Sequence, residues 1–148
     1  MTTPPIFLTT DAHLLVPVDF SNHSRTALHA AADMIRKTGV GRLTLLSVVE
    51  PPTSGMRIQT ADLHKSMEEE TARKLHEWAK VEIPDIETSQ IAAVCGIPGD
   101  EICEQAVKRG VNLIVIATHG HTGLKHYLLG SVAEKVVRNA KCPVLVVR

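Results

Sequence analysis

Short apolar runs alternate with segments of helical spacing along this chain. "HLLVPVDF" (13–20), "RLTLLSVVE" (42–50), "IETSQIAAVCG" (86–96), "VNLIVIAT" (111–118) and "PVLVVR" (143–148) are rich in Leu, Val and Ile, and several are apolar at odd and even positions alike. A strand with two apolar faces belongs in a parallel sheet covered by helices on both sides. The segments between the runs change period. "SNHSRTALHAAADMIRKTG" places Ala27, Leu28, Ala31, Met34 and Ile35 on one stripe, with a Ser at its start and Gly39 at its end as caps. "DLHKSMEEETARKLHEWAKVE" repeats Leu63, Met67, Ala72, Leu75, Trp78 and Ala79, with acidic residues ahead of basic ones on the outer face. "GDEICEQAVKRG" carries Asp100 near its start and Lys108 and Arg109 at its end, in keeping with the helix dipole. "SVAEKVVRNAK" contains Ser-x-x-Glu, Ser131 to Glu134, the pattern of a capping box.

The pattern predicts β-α-β-α-β-α-β-α-β, a doubly wound α/β fold with a five-stranded parallel sheet and helices on both faces. Right-handed crossovers leave two strand orders, 3-2-1-4-5 and 2-1-3-4-5. Ligands bind such sheets beyond the carboxyl ends of the strands, where the order reverses. In the first order that point lies between strands one and four, at the turn around Asp19 and the loop 117–123. There is no internal repeat and no low-complexity tract. Residues 1–148 read as one domain, with 1–11 flexible and 51–61, "PPTSGMRIQTA", a long connecting loop.

Length and composition support this reading. A domain of 148 residues buries roughly 70% of the surface of its unfolded chain, enough for a core without staples. The chain is 44% hydrophobic and 22% charged with a formal net charge of zero, which describes a globular protein. Nucleic acid is not an expected partner: there is no basic excess, and Phe7, Phe20, Trp78 and Tyr127 are the whole aromatic complement. The N-terminus lacks the cationic and long apolar regions of a secretory signal, and no run approaches the roughly 18 apolar residues of a membrane span, so the expected location is the cytoplasm, with no membrane partner. Cys95, Cys103 and Cys142 form no C-x-x-C pair and read as reduced, packed thiols.

The unusual chemistry sits after the fourth apolar run. Ala117-Thr118-His119-Gly120 is followed by nine residues and then Gly130-Ser131. Gly120 and Gly123 allow a turn and close approach of a ligand, and Ser131 opens a helix whose first amides lack an internal acceptor, a natural anion site. Two readings fit: phosphates held by the loop and by the amides of Ser131 and Val132, or ordinary turn glycines with Ser131 merely capping its helix. Asp19, at the end of "VPVDFS", lies across the same crevice. It reads either as the N-cap of the following helix or as an acceptor for ribose hydroxyls or an amine, since a carboxylate repels phosphate.

On these residues the chain resembles the universal stress protein family, from "LLVPVDFS" through "VCGIPGDEI" and "LIVIATHGHTGLKHYLLGSVAEKVV" to "CPVLVV". The family's nucleotide-binding branch carries Gly-x2-Gly-x9-Gly-(Ser/Thr). Gly120, nine residues, Gly130 and Ser131 match it, while Ala117 stands at the first glycine and is accommodated if its φ is negative. The resemblance implies the 3-2-1-4-5 sheet and an adenine nucleotide, ATP or AMP, as bound ligand, with Mg2+ as an optional companion. It places adenine near the backbone of Val48 with Pro17 and Val18 beside it, Asp19 at the ribose or α-phosphate, and Gly120, Gly130, Ser131 and Val132 around the phosphates; His119 falls inside the motif as a further contact. It also implies a role in stress response or signalling and a homodimer through the last strand, 143–147.

Micromolar affinity requires about 8 kcal/mol, whereas a helix N-terminus contributes roughly 0.3–1 kcal/mol, up to about 2 when partly buried. Burial of the base must therefore supply most of the affinity. The chain has eight histidines, and His119, His121 and His126 cluster in the loop, but without a Cys or acidic partner nearby they do not read as a metal site; His121 and Lys125 are equally phosphate contacts or solvated loop residues. No catalytic triad or acidic metal cluster is evident. The alternatives to a binding protein are a slow ATP hydrolase or nucleotide transferase using Asp19 and Mg2+, and an interaction module with an empty crevice. A phosphoacceptor domain is disfavoured, because "AAVCG" and "PVLVV" supply neither the acidic cluster nor the lysine that it needs.

Overall fold

The computed structural model describes residues 11–39, 41–52, 61–86, 89–119 and 128–148. Nine elements alternate in chain order: β1 (His13–Pro17), α1 (Asn22–Thr38), β2 (Arg42–Val49), α2 (Ala61–Glu82), β3 (Ser89–Cys95), α3 (Pro98–Lys108), β4 (Leu113–Ala117), α4 (Ser131–Asn139) and β5 (Val144–Val147). All strand pairs are parallel, and the order is β3-β2-β1-β4-β5. Of the two orders open on pattern alone, the sheet adopts 3-2-1-4-5.

The two-faced apolar runs do what their composition requires. Leu14, Val16, Leu43, Leu45, Leu113 and Val115 point to one face, where Ala27, Leu28, Ala31 and Ala32 of α1, Leu75 and Ala79 of α2 and Ile83 just after it cover them. Leu15, Leu46, Ala92, Ile114 and Ile116 point to the other, under Ile102 and Ala106 of α3 and Ala133 and Val136 of α4. Strand alternation thus splits the core into two layers of side chains around one sheet. Small residues on α1 let that helix lie close to the strands, which is why four of its five fully packed positions are Ala or Ser.

Helix α1 ends as its sequence predicts. Ser21 is the N-cap and accepts from the Ser24 amide, and Gly39 closes the helix at φ 67°, its amide donating to Ile35 O. Helix α4 does not begin as predicted. Gly130, in extended conformation, holds the N-cap position, Ser131 is already helical, and the Glu134 amide donates to Gly130 O at 2.8 Å, so Ser131 and Glu134 form no capping box. Strand β1 is shorter than the run 13–20, ending at Pro17 because the chain turns out of the sheet at Phe20. Strand β3 begins at Ser89 rather than 86; Ile86 instead belongs to the turn after α2 and packs into the core. Most of the connection 51–61, and residues 1–10 of the segment expected to be flexible, lie outside the described residues. Cys95, Cys103 and Cys142 are half-buried free thiols, and burial is the main cause holding each above its ordinary titration range.

The opposite end of the sheet from the crevice is locked by a buried histidine. His13 is 1% exposed, and its Nδ1 lies 3.0 Å from Arg109 O and its Nε2 2.7 Å from Thr44 Oγ1. A carbonyl only accepts, so Nδ1 carries the proton and Nε2 accepts from the Thr44 hydroxyl. Burial, with the charge of Arg42 adding to it, holds this imidazole below its ordinary pKa of 6.5. The unfolded chain therefore binds the proton more readily than the native one. The stability from neutral His13 is complete above pH 6.5 and is lost as pH falls below it, by at most about 1.4 kcal/mol per pH unit. Urea unfolding midpoints should accordingly fall between pH 7 and pH 5. His13→Gln should lower the pH 7 midpoint and flatten that dependence, and an unchanged slope in the variant would show that other groups cause it.

Candidate functional site

Three chain ends converge where the sheet order reverses. The β1–β2 ladder runs from His13↔Arg42 to Pro17↔Leu46 and closes with Val18 N–H donating to Leu46 O at 2.8 Å. Beyond it the chain leaves the sheet through Asp19 and Phe20, the latter at φ 64°, the only non-glycine with positive φ among the described residues. For a bulky residue this left-handed conformation is strained by about 1–3 kcal/mol. The Phe20 ring is anchored edge-on against Trp78 of α2, with centroids 5.8 Å apart. The abrupt turn opens a gap over the end of β1, and α4 lies on its far side.

Asp19 faces that gap and also organises the turn. Its carboxylate accepts from the Ser21 amide at 3.0 Å and from the Ser21 hydroxyl, while Ser21 Oγ in turn accepts from the Ser24 amide at 3.2 Å. The cap of α1 is thus Ser21, and Asp19 supports it from two residues before the cap.

On the other side, Gly130 N–H donates to Thr118 O at 2.7 Å, and a Cβ on Gly130 would stand 2.8 Å from the same oxygen. Only glycine permits this approach of the α4 start to the β4 end. Because the first intrahelical bond of α4 comes from Glu134, the amides of Ser131, Val132 and Ala133 have no acceptor within the helix. Thr118 N–H donates to Val147 O at 3.0 Å, which holds the β4 end in the sheet. The contact of α3 with α4 is equally close: a Cβ on Gly99 would meet the Lys135 side chain at 2.7 Å, and Lys135 Nζ donates to Asp100 at 2.7 Å.

Between these walls lies a cleft of about 380 Å³, within the range of small-molecule sites. Pro17, Val18, Asp19, Val48, Ala117, His119, Gly130, Ser131 and Val132 all border it. Gly120 lies outside the described residues, as do Gly123, His121, Lys125 and His126. Ala117, at the place of the first motif glycine, ends β4 without a positive φ, so its methyl group imposes no backbone strain. His119 is half-buried. Its Nδ1 is 3.1 Å from Thr118 Oγ1, its ring centroid is 5.8 Å from that of His23, and its Nε2 is buried without a hydrogen-bond partner among the described residues. A buried ring nitrogen without a partner is uncommon in a folded interior and marks a place for one.

Sequence reasoning missed part of the wall. Leu46, Ile102 and Ile116 form the buried apolar floor, and Pro98 and Glu50 stand at its edge. Leu46 and Glu50 were within reach of a period-2 argument, since they flank Val48 two residues away on the same strand face. Pro98 and Ile102 come from α3, and only the packed structure brings that helix to this sheet end.

The chain matches the model of the universal stress protein family over residues 12–148. It belongs to that family. Universal stress protein MJ0577 of Methanocaldococcus jannaschii is 35% identical over 153 residues, covering 91% of this chain and 93% of its own. The solved structure of MJ0577 superimposes with a TM-score of 0.67 at 33% identity, covering 94% and 96% of the two chains. UspA from Lactobacillus plantarum has the same fold, with a TM-score of 0.77 at 24% identity over 92% of this chain and 97% of its own. So has the universal stress protein from Archaeoglobus fulgidus solved in complex with dAMP, with a TM-score of 0.61 at 24% identity over 95% of this chain and 100% of its own.

The α4 junction yields a paired prediction. Gly130→Ala should destabilise the fold by about 1–3 kcal/mol through the forced clash with Thr118 O, whereas Ser131→Ala, which removes no cap bond, should stay within about 0.5 kcal/mol. Urea midpoints of the two variants check this, and a larger loss in Ser131→Ala would restore the capping-box reading.

Proposed function

We propose that this universal stress protein binds an adenine nucleotide, ATP, ADP or AMP, in the cleft between β1 and β4 and acts in stress response or signalling in the cytoplasm. The observation that carries the reading is the pairing of a buried, apolar floor with a helix start whose first amides have no acceptor within the helix. The floor suits a purine ring and the amides suit a phosphate. The main chain of β2 adds a further match. Leu46 O accepts from Val18, so the N–H and C=O of Val48, two residues on, point to the same side of the strand, beyond the last residue of the β1–β2 ladder. A donor and an acceptor side by side on a strand edge complement the N1 and N6 edge of adenine.

In this arrangement Pro17 and Val18 flank the base, and Asp19 accepts from ribose hydroxyls. Gly130, Ser131 and Val132 hold the phosphate end with Ala117 below them, and His119 offers its unpartnered Nε2 to the ligand. Gly120 of the family motif completes the phosphate loop. Among the described residues no group of three or more His, Cys, Asp or Glu gathers around a metal position, so Mg2+ is proposed only as the companion of a polyphosphate. The dAMP complex of the Archaeoglobus relative supports the class of ligand. Among the described residues no helix is long and apolar enough to cross a membrane.

Titration calorimetry with ATP, ADP and AMP should show micromolar binding of at least one, and absence of heat with all three would end the proposal. Ser131→Pro sharpens the test. Proline is tolerated in the first turn of a helix, and Gly130 already has the extended conformation that a residue before proline prefers. The substitution removes one free amide and the hydroxyl. Affinity should fall about tenfold, the worth of one charge-assisted hydrogen bond, while circular dichroism stays unchanged.

Homodimerisation through residues 143–147 is part of the same proposal. Strand β5 is a sheet edge with β4 as its single neighbour, and Leu145 on it is 40% exposed. An apolar edge strand of this kind invites pairing with a second copy. Sedimentation equilibrium should give twice the chain mass, and Leu145→Lys should shift it to the monomer. A monomeric parent protein would exclude the interface.

A further inference from the structure

We infer that Glu50 reads the base, selecting a nucleobase with an exocyclic amine over one with a carbonyl at that position. The inference rests on the nucleotide reading above. Residues two apart on a strand share a face, and Leu46, Val48 and Glu50 all border the cleft from β2 and its end. Along that row the wall changes from buried Leu46 through half-buried Val48 to exposed Glu50. Leu46 and Val48 pack in the same apolar layer as Ile102 and Ile116. A ring lying on this layer therefore presents its outer edge to a carboxylate.

The long axis of the cleft sets which end of the ligand that is. The unsatisfied amides of α4 follow β4, whereas Glu50 follows β2, and β1 lies between those strands. Two strand spacings, about 10 Å, separate the two ends. With the phosphate on the α4 amides, the base falls at β2, and the charge on Glu50 opposes the reverse orientation.

Glu50 is in neither a hydrogen bond nor an ion pair among the described residues. Its oxygens are thus uncommitted, and an ionised carboxylate only accepts. The partner on the base must then donate, as the N6 amine of adenine does. The main-chain pair at Val48 discriminates weakly by itself, because a donor beside an acceptor also accommodates the N1–H and O6 of hypoxanthine after a small shift. Glu50 does not, since O6 would face it lone pair to lone pair. Acceptor-only chemistry at the rim is therefore what separates the amino from the oxo purine.

The test is calorimetry on the full chain with AMP, IMP and ribose 5-phosphate, in the parent protein and in Glu50→Gln. The parent should bind AMP at least about tenfold tighter than IMP, the size of one charge-assisted hydrogen bond. In Glu50→Gln, whose amide also donates, the ratio should fall to within about threefold, with ribose 5-phosphate binding unchanged. A parent that does not discriminate, or a variant that keeps the full ratio, overturns the role of Glu50 while leaving the nucleotide site standing. Equal weakening of AMP, IMP and ribose 5-phosphate in the variant also overturns it, because the effect would then lie outside base reading. Failure of the parent to bind both nucleotides sinks the site and this inference together.

Discussion

One main-chain hydrogen bond, from Gly130 N–H to Thr118 O at 2.7 Å, organises the functional end of this protein. It brings the first turn of α4 directly over the end of β4, closer than any residue with a Cβ allows. The helix then starts at a backbone contact instead of a side-chain cap, and its leading amides remain available. Had a serine or aspartate capped α4, its oxygen would occupy the position that the cleft leaves to a ligand. The strained turn at Phe20 does the matching work on the other side. It ends β1 early and moves α1 out of the way, so the crevice at the order reversal stays open.

The two halves of the cleft differ in physical character. Its floor is apolar and continuous with the core layer under α3 and α4, where burial of a flat ring would supply most of the binding free energy of the proposed ligand. Its other end offers the oriented main-chain amides at the start of α4. Among the described residues no Lys or Arg borders the cleft, while Asp19 and Glu50 do. This distribution favours a ligand whose charge is confined to one end, with hydroxyls and an amine at the other. An adenine nucleotide, as proposed above, has that distribution.

Much of this was legible in the chain. Apolar runs without a polar face required a covered parallel sheet, and Ser21 and Gly39 bounded α1 correctly because their capping chemistry is local. The glycine spacing and Asp19 pointed to the crevice that the structure contains. The Ser-x-x-Glu at 131–134 misled for an instructive reason: the motif records only residue types, and the frame in which the helix starts was decided by a bond to Thr118, twelve residues upstream. Strand period from Val48 reaches Glu50, but a charged residue at the end of a strand carries no mark of its own that separates a wall of the cleft from a side chain that merely meets water.

Local chemistry therefore determined the elements, the two caps of α1 and the two apolar faces of the strands, since each depends on residues within a few positions of one another. Hydrophobic period left two strand orders open, of which the family resemblance implied the one the sheet adopts; the assembly of β1, β2, α3, β4 and α4 into one cleft, and the assignment of Gly130 over Ser131 as the first residue of the α4 junction, came only from the packed sheet. Those features depend on which strands lie side by side, and hydrophobic period carries no information about neighbours.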